Sequence, residues 1–265
     1  MAIGLYSVAT IMPMQAHGDA NSVVHPYAFD ATREWTIMST GLGLGAIGTY
    51  YNLHKTRYQM RDDGTQQRSS VPLFDRGAAG LWNARAAHES DGWLMATALA
   101  PLSLYTPLTQ DTLSIVYLYT ETFTLIAGGV AFAKGVVDRY RPYSYDTHPP
   151  SDVRYDADTK RSFFSGHAAA ITGSAVFTAT LFQDYFPDSV YAPWVWAGTL
   201  SVAAYAGSLR VVAGMHFPSD VLLGMLYGGV IAYAIPALHK KRHTPAVAFY
   251  ANHERFGMTW HRQLH

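Results

Sequence analysis

Six long stretches of this chain are nearly free of charge, and that pattern restricts the fold more than any single motif. Residues 35–53 and 93–110 contain no Asp, Glu, Lys or Arg. Residues 112–137 are interrupted only by Glu121 and Lys134, and 168–183, 189–209 and 221–238 are again uncharged. A helix needs about 20 mainly apolar residues, within roughly 17–25, to cross the hydrocarbon core of a bilayer. The stretches reach or approach that length; 168–183 is the shortest, and Gly166 and His167 can extend it. Small residues recur in them (Gly41, Gly43, Gly45; Gly128, Gly129; Gly224, Gly228, Gly229), and small residues let membrane helices approach closely. The pattern predicts an all-α bundle of six transmembrane helices. A soluble all-α protein with deeply buried helices is the other fold with this signature.

Composition narrows the function. Charged residues are 14% of the 265, against about 25% in an average soluble domain, and hydrophobic residues are 49%, so disorder is excluded. Lys+Arg and Asp+Glu are both 19, a balance that argues against a general nucleic-acid binder. Cysteine is absent, which removes disulfides, thiolate nucleophiles and Cys-ligated metals. No repeat, linker or low-complexity tract divides the chain, so one domain over 1–265 is expected, with its core at about 35–238. Residues 1–20 lack a basic start and make a poor signal peptide. Between the first two stretches, residues 71–87 mix Leu73, Phe74, Leu81 and Trp82 with charge, as does an amphipathic helix lying in the membrane interface.

Three short motifs fall at the ends of these helices. Lys134-Gly-Val-Val-Asp-Arg-Tyr-Arg141-Pro142 closes the third; Lys134 and Arg141 stand two turns apart and can share a face. Phe164-Ser165-Gly166-His167 opens the fourth, with Ser165 as an N-cap and His167 at the positive end of the helix, where backbone N–H groups bind phosphate. Arg210 closes the fifth. His216 and Asp220, four apart, straddle the start of the sixth around Pro218, so the carboxylate is within reach of the imidazole. A carboxylate on one imidazole nitrogen leaves the other free as a nucleophile. Taken singly, each motif has a bland explanation: snorkelling cations, a helix cap beside a bystander histidine, an interfacial histidine. In a six-helix chain, however, the ends of helices three and five and the starts of four and six lie on one membrane side. Lys134, Arg141, Ser165, His167, Arg210, His216 and Asp220 then gather on one surface.

In order and spacing these motifs resemble the type 2 phosphatidic acid phosphatase superfamily, which also includes class A acid phosphatases and vanadium haloperoxidases. The chain matches the pattern Lys-x6-Arg-Pro in full, then Ser-Gly-His, then Arg-x5-His-x3-Asp. Phe164 stands where the pattern has Pro, and Leu209 separates Ser208 from Arg210. The resemblance implies a phosphatase in which His216 attacks phosphorus, Asp220 orients it, and His167 protonates the leaving oxygen and then activates water. Lys134, Arg141 and Arg210 hold the phosphoryl oxygens, with Ser165 and Gly166 assisting. No cofactor or metal is implied. The implied substrate is a phospholipid or isoprenoid phosphate: phosphatidic acid, phosphatidylglycerophosphate, a polyprenyl diphosphate or a lipid A phosphate. The bilayer is then a partner and nucleic acid is not. The implied location is a bacterial inner membrane with the site on the periplasmic face. The basic run 239–243 after the last helix agrees with that orientation, whereas the Lys- and Arg-rich segment 55–85 on the motif side opposes it. Non-catalytic phospholipid binding or transport, and a soluble acid phosphatase or haloperoxidase, are the alternatives. Glu121, an acid inside an apolar stretch, is expected to hydrogen-bond a neighbouring helix. The loop 143–163, with His148, Pro149, Asp152, Arg154 and Asp156, is expected to overhang the site.

Overall fold

The computed structural model describes residues 26–55, 67–101, 112–146, 157–241, 246–252 and 255–261. Among them seven α-helices form: α1 (Ala31–His54), α2 (Leu73–Arg76), α3 (Ala84–Leu99), α4 (Thr112–Val136), α5 (Gly166–Tyr185), α6 (Ala192–Val212) and α7 (Pro218–His239). The helical core agrees with the expected class. A two-stranded antiparallel ribbon, β1 (Ala246–Asn252) with β2 (Arg255–His261), follows it, and its Val, Phe, Tyr, Thr and Trp residues are good strand formers.

The helix starts follow local chemistry. Asp30 accepts from Arg33 N (3.0 Å), Asn83 from Ala86 N (3.0 Å) and Ser165 from Ala168 N (3.3 Å), each supplying an acceptor to an otherwise orphaned N–H. At α7, Pro218 takes the first helical position, and the Asp220 carboxylate turns back to Phe217 N (3.0 Å).

Among the described residues three helices are long and apolar enough to cross a membrane: α4, α6 and α7. The others fall short for identifiable reasons. α1 has an uncharged run, 35–53, but its Gly, Thr, Ser and Tyr residues dilute the apolar character of that run. α3 carries Arg85, Glu89 and Asp91, and residues 102–110 of its apolar stretch lie outside the described residues. α5 sits at the centre: thirteen of its residues, from Ala168 to Leu181, are buried against α3, α4, α6 and α7, so Thr172, Thr178 and Thr180 face protein. The interfacial helix expected over residues 71–87 does not form as one element. Pro72, Gly77 and Gly80 (φ +84°) break it into the single turn α2 and the start of α3, with a 3-10 turn (Arg68–Ser70) just before it.

Two close helix pairs set the register of the bundle. α1 and α4 run parallel, Gly41 against Thr124 and Gly128, Gly48 against Ala131 and Gly135; a Cβ on Gly135 would lie 2.6 Å from Gly48 O. α5 and α7 also run parallel, and a Cβ on Gly224 or Gly228 would strike the carbonyl of Ser165 or Ala169. These contacts bring the C-terminal ends of α1, α4 and α6 together with the N-terminal ends of α3, α5 and α7. At the opposite end, residues 26–30 fold over the finish of α7: Ala28 N donates to His239 O (2.8 Å) and Lys241 N to Pro26 O (2.8 Å).

Candidate active site

The four helix ends that carry the motifs meet at one end of the bundle. His216 lies in the short connection 213–217 between α6 and α7 and is 1% exposed. Gly214 (φ +70°) makes the turn possible, and a Cβ there would hit Leu81 O. The connection is anchored on three sides: Asn83 N donates to Ala213 O (3.4 Å), Tyr143 N to Gly214 O (3.1 Å), and His216 N to Arg210 O (3.2 Å).

The imidazole is oriented differently from expectation. His216 Nδ1 lies 2.7 Å from the backbone carbonyl of Ser162, not against Asp220. A carbonyl only accepts, so Nδ1 carries the proton and the neutral ring presents Nε2 as its lone pair. Asp220 Oδ2 accepts from the Ser162 hydroxyl (2.7 Å) and from Phe217 N. Asp220 therefore acts on His216 through Ser162. The reason is geometric: the carboxylate curls back to cap its own helix, which turns it away from residue 216.

Behind Asp220 stands a second layer. Arg139 pairs its NH1 with Asp220 Oδ1 and also donates to Ser219 Oγ (2.8 Å), while NH2 meets Asp75 Oδ2 (2.6 Å). Asp75, in turn, accepts from Ser219 N (2.9 Å) and Ser219 Oγ (2.6 Å). The guanidinium also stacks 4.6 Å above the Phe217 ring. Asp75 and Asp220 are almost wholly buried, and Arg139 neutralises both. The hydrogen bonds from Ser219 and the ion pair with Arg139 outweigh burial and lower the pKa of Asp75 below the usual carboxylate range.

The cations converge. Arg141 is held by Asp158, Nε to the backbone carbonyl (2.9 Å) and NH2 to Oδ2 (3.0 Å), and its NH1 approaches Met215 Sδ at 3.2 Å. Arg210 NH1 donates to Ser90 Oγ (2.8 Å) and reaches Asp91 Oδ1 (3.3 Å); its buried Nε has no protein acceptor. Lys134 rises beside the start of α5, its ammonium 4.0 Å from where a Cβ on Gly166 would stand. Burial first, then Arg141, Lys134 and Arg210, push His216 well below its ordinary pKa, so that it is neutral at physiological pH. The site thus offers spare positive charge around an uncharged imidazole, which is what an incoming phosphate and a nucleophile together require.

His167, in the first turn of α5, places Nε2 2.8 Å from Asp91 Oδ1. Ser165 is buried, its hydroxyl used as the α5 cap and its N–H given to Asp220 O (3.0 Å). Every residue expected at the site is therefore at this end of the bundle. Sequence reasoning missed the supporting set: Ser162, Arg139, Asp91, Ser90, Asp158 and Asp75. Arg139 was legible as a third cation inside the first motif, and Asp91 as an acid leading into an apolar stretch. His148, Pro149, Asp152, Arg154 and Asp156 lie outside the described residues.

Alongside Lys134 and Gly166 opens a groove of about 420 Å³ between α1, α4 and α5. Its upper lip holds Asn52, Asp158 and Arg161, and its floor descends through Val130, Ala127, Ile126 and Phe123.

A helical bundle that collects Lys, two Arg, two His and a Ser-Gly helix start at one end offers the kinds of group that phosphate handling requires. The model of the PAP2 superfamily matches residues 114–244, from α4 to just beyond α7 and across all three motifs. The chain belongs to that superfamily, the type 2 phosphatidic acid phosphatases, whose members act on phosphate-containing substrates. Neither a curated protein nor a solved structure matches it.

Proposed function

We propose that the protein is a membrane-embedded phosphatase that removes phosphate from a lipid phosphate or diphosphate through a phosphohistidine. In this reading His216 Nε2 attacks phosphorus and the bond to the leaving oxygen breaks. His167, paired with Asp91, gives that oxygen a proton. His167 then takes a proton from water, whose oxygen attacks the phosphohistidine, and phosphate leaves with the Nε2 lone pair restored. Lys134, Arg141 and Arg210 hold the phosphoryl oxygens, with Gly166 N–H beside them. Such chemistry is mostly positioning and charge stabilisation, which this cation set can supply.

The observation that carries the lipid reading is the groove. It joins the cationic site at Lys134 to an apolar flank running from Val130 to Phe123, seven residues or about 10 Å along α4. A phosphate at the top and an acyl or isoprenoid chain below would fill both parts. Large apolar side chains turned outward on three helices (Leu42 and Ile47; Leu113 and Val116; Leu222, Leu226 and Val230) support residence in a bilayer. By the same reading the site faces the periplasm and residues 26 and 241 the cytoplasm.

Phosphate release from phosphatidic acid, phosphatidylglycerophosphate, undecaprenyl diphosphate and lipid A, beside a water-soluble aryl phosphate, tests the proposal. The expected result is turnover of at least one lipid in preference to the aryl phosphate, abolished in His216→Ala. Equal release by His216→Ala, or release from the aryl phosphate alone, would reject it.

A further inference from the structure

The end of the bundle remote from the catalytic residues holds a second cluster. Glu34 from the first turn of α1, Glu121 from the middle of α4 and His239 from the last turn of α7 are all buried, and one donor atom from each lies within 4.8 Å of the others. Glu121 stands thirteen residues before Lys134, about 20 Å along the helix. We infer that these three side chains form a divalent-metal site, with zinc the best-suited ion, that ties α1, α4 and α7 together.

The first argument is how each ligand is already held. His239 Nδ1 is 2.8 Å from Ile235 O. The carbonyl can only accept, so Nδ1 bears the proton and Nε2 is directed at the carboxylates, 2.8 Å from Glu34 Oε2 and 3.1 Å from Glu121 Oε2. Glu34 Oε1 is fixed by Asp30 N (2.7 Å) and Arg33 NH2 (2.8 Å), leaving Oε2 to face the cluster. Metal-binding histidines commonly give their other N–H to a backbone carbonyl, and metal-binding carboxylates are themselves hydrogen-bonded. Both outer contacts are present.

The second argument is Glu121. It is 0% exposed, and neither of its carboxylate oxygens receives a hydrogen bond. A single proton on His239 Nε2 serves only one carboxylate, and Glu34 is the nearer. Arg33 directs its terminal nitrogens to Leu238 O (2.8 Å), Ala28 O (2.6 Å) and Glu34, and makes no hydrogen bond to Glu121. A wholly buried carboxyl group without a donor is costly. A cation bound between Glu121, Glu34 and Nε2 removes that cost for all three donors at once.

The donor set selects the ion. One imidazole nitrogen, two carboxylate oxygens and an open fourth position suit zinc, at about 2.0–2.2 Å from each donor. Tetrahedral donors at that distance stand about 3.3–3.5 Å apart, so His239 Nε2 would need to move only about half an ångström or less from each carboxylate oxygen.

The test uses the full chain in detergent, carrying no histidine tag, stripped with EDTA, incubated with zinc chloride and desalted. Elemental analysis is expected to find about one zinc per chain. Glu121→Gln and His239→Gln should each weaken zinc binding by about tenfold or more, and His216→Ala should leave it unchanged. Cobalt(II) added to the unaltered chain should give the visible absorption of a low-coordinate N/O site, a readout that needs no variant to fold. Zinc-free protein with no cobalt band overturns the assignment, as does zinc or a cobalt band retained undiminished in His239→Gln. None of these readouts depends on the phosphatase reading.

Discussion

His216 is buried yet must stay chemically available, and its surroundings fix how the protein responds to acid. Burial and three cations depress its pKa below 6.5, so below about pH 6.5 the unfolded chain binds a proton there that the folded chain refuses. By linkage, the stability associated with this group is fully present above pH 6.5 and falls as pH drops below it. The expected loss between pH 7 and pH 5 is up to about 2 kcal/mol, since the unfolded value alone sets that window. Thermal unfolding in detergent should show this slope, reduced in His216→Gln; an unchanged slope contradicts it. Asp75, with its lowered pKa, acts only in stronger acid, below about pH 4. Arg139 is the other decisive residue. Arg139→Ala would leave Asp75 and Asp220 buried without their counter-charge, at a cost of about 3–5 kcal/mol. The surviving activity should show kcat reduced by about tenfold to a hundredfold with KM nearly unchanged, because Arg139 touches no phosphate-binding residue among its described contacts. A loss confined to KM would show that Arg139 holds substrate instead.

At the scale of helices, glycine spacing does what side-chain interdigitation does elsewhere. α5 delivers Ser165, Gly166 and His167 to the site only because Gly224 and Gly228 let its backbone lie on α7. Gly228→Ala should lower stability by about 1–3 kcal/mol and depress phosphatase activity together with it. Gly43→Ala and Gly198→Ala, whose added methyl meets nothing within 4 Å, should be neutral or stabilising by up to about 1 kcal/mol. Thermal shifts of the three variants side by side decide the matter. These elements also show what the sequence could disclose. The six long helices were legible because outward-facing and core-facing residues are both largely apolar, so the stretches announce themselves without any knowledge of packing. α5 read as the shortest because its uncharged stretch was counted from residue 168 to 183, whereas the helix begins at Gly166 and runs through Asp184 to Tyr185. The 71–87 segment misled because its mixed composition fits one amphipathic helix, whereas Pro72, Gly77 and Gly80 break it. Ser162 was beyond reach because its decisive atom is a main-chain carbonyl, and main-chain atoms leave no mark on residue identity. The direct contact between Asp220 and His216 does not form for a related reason: spacing established that the carboxylate could reach the imidazole, but not that a helix N–H would claim it first.

For the whole molecule, the unusual trait is how much apolar surface the folded chain leaves outside. α1, α4 and α7 turn large aliphatic side chains outward while their small residues face in, the reverse of a water-soluble bundle. The protein should remain in the membrane pellet through an alkaline carbonate wash and leave it only with detergent; release by carbonate would contradict a bilayer-spanning arrangement. The union of Pro26 and Tyr27 with Lys240 and Lys241 has a topographic consequence. Chain entering α1 and chain leaving α7 emerge together, a bundle's length from His216. On the membrane-embedded reading proposed above, a reporter joined at either place in sealed vesicles would share its compartment with the other and be walled off from the water that meets His216. A protease on one side could shave the tails or reach the catalytic mouth, never both.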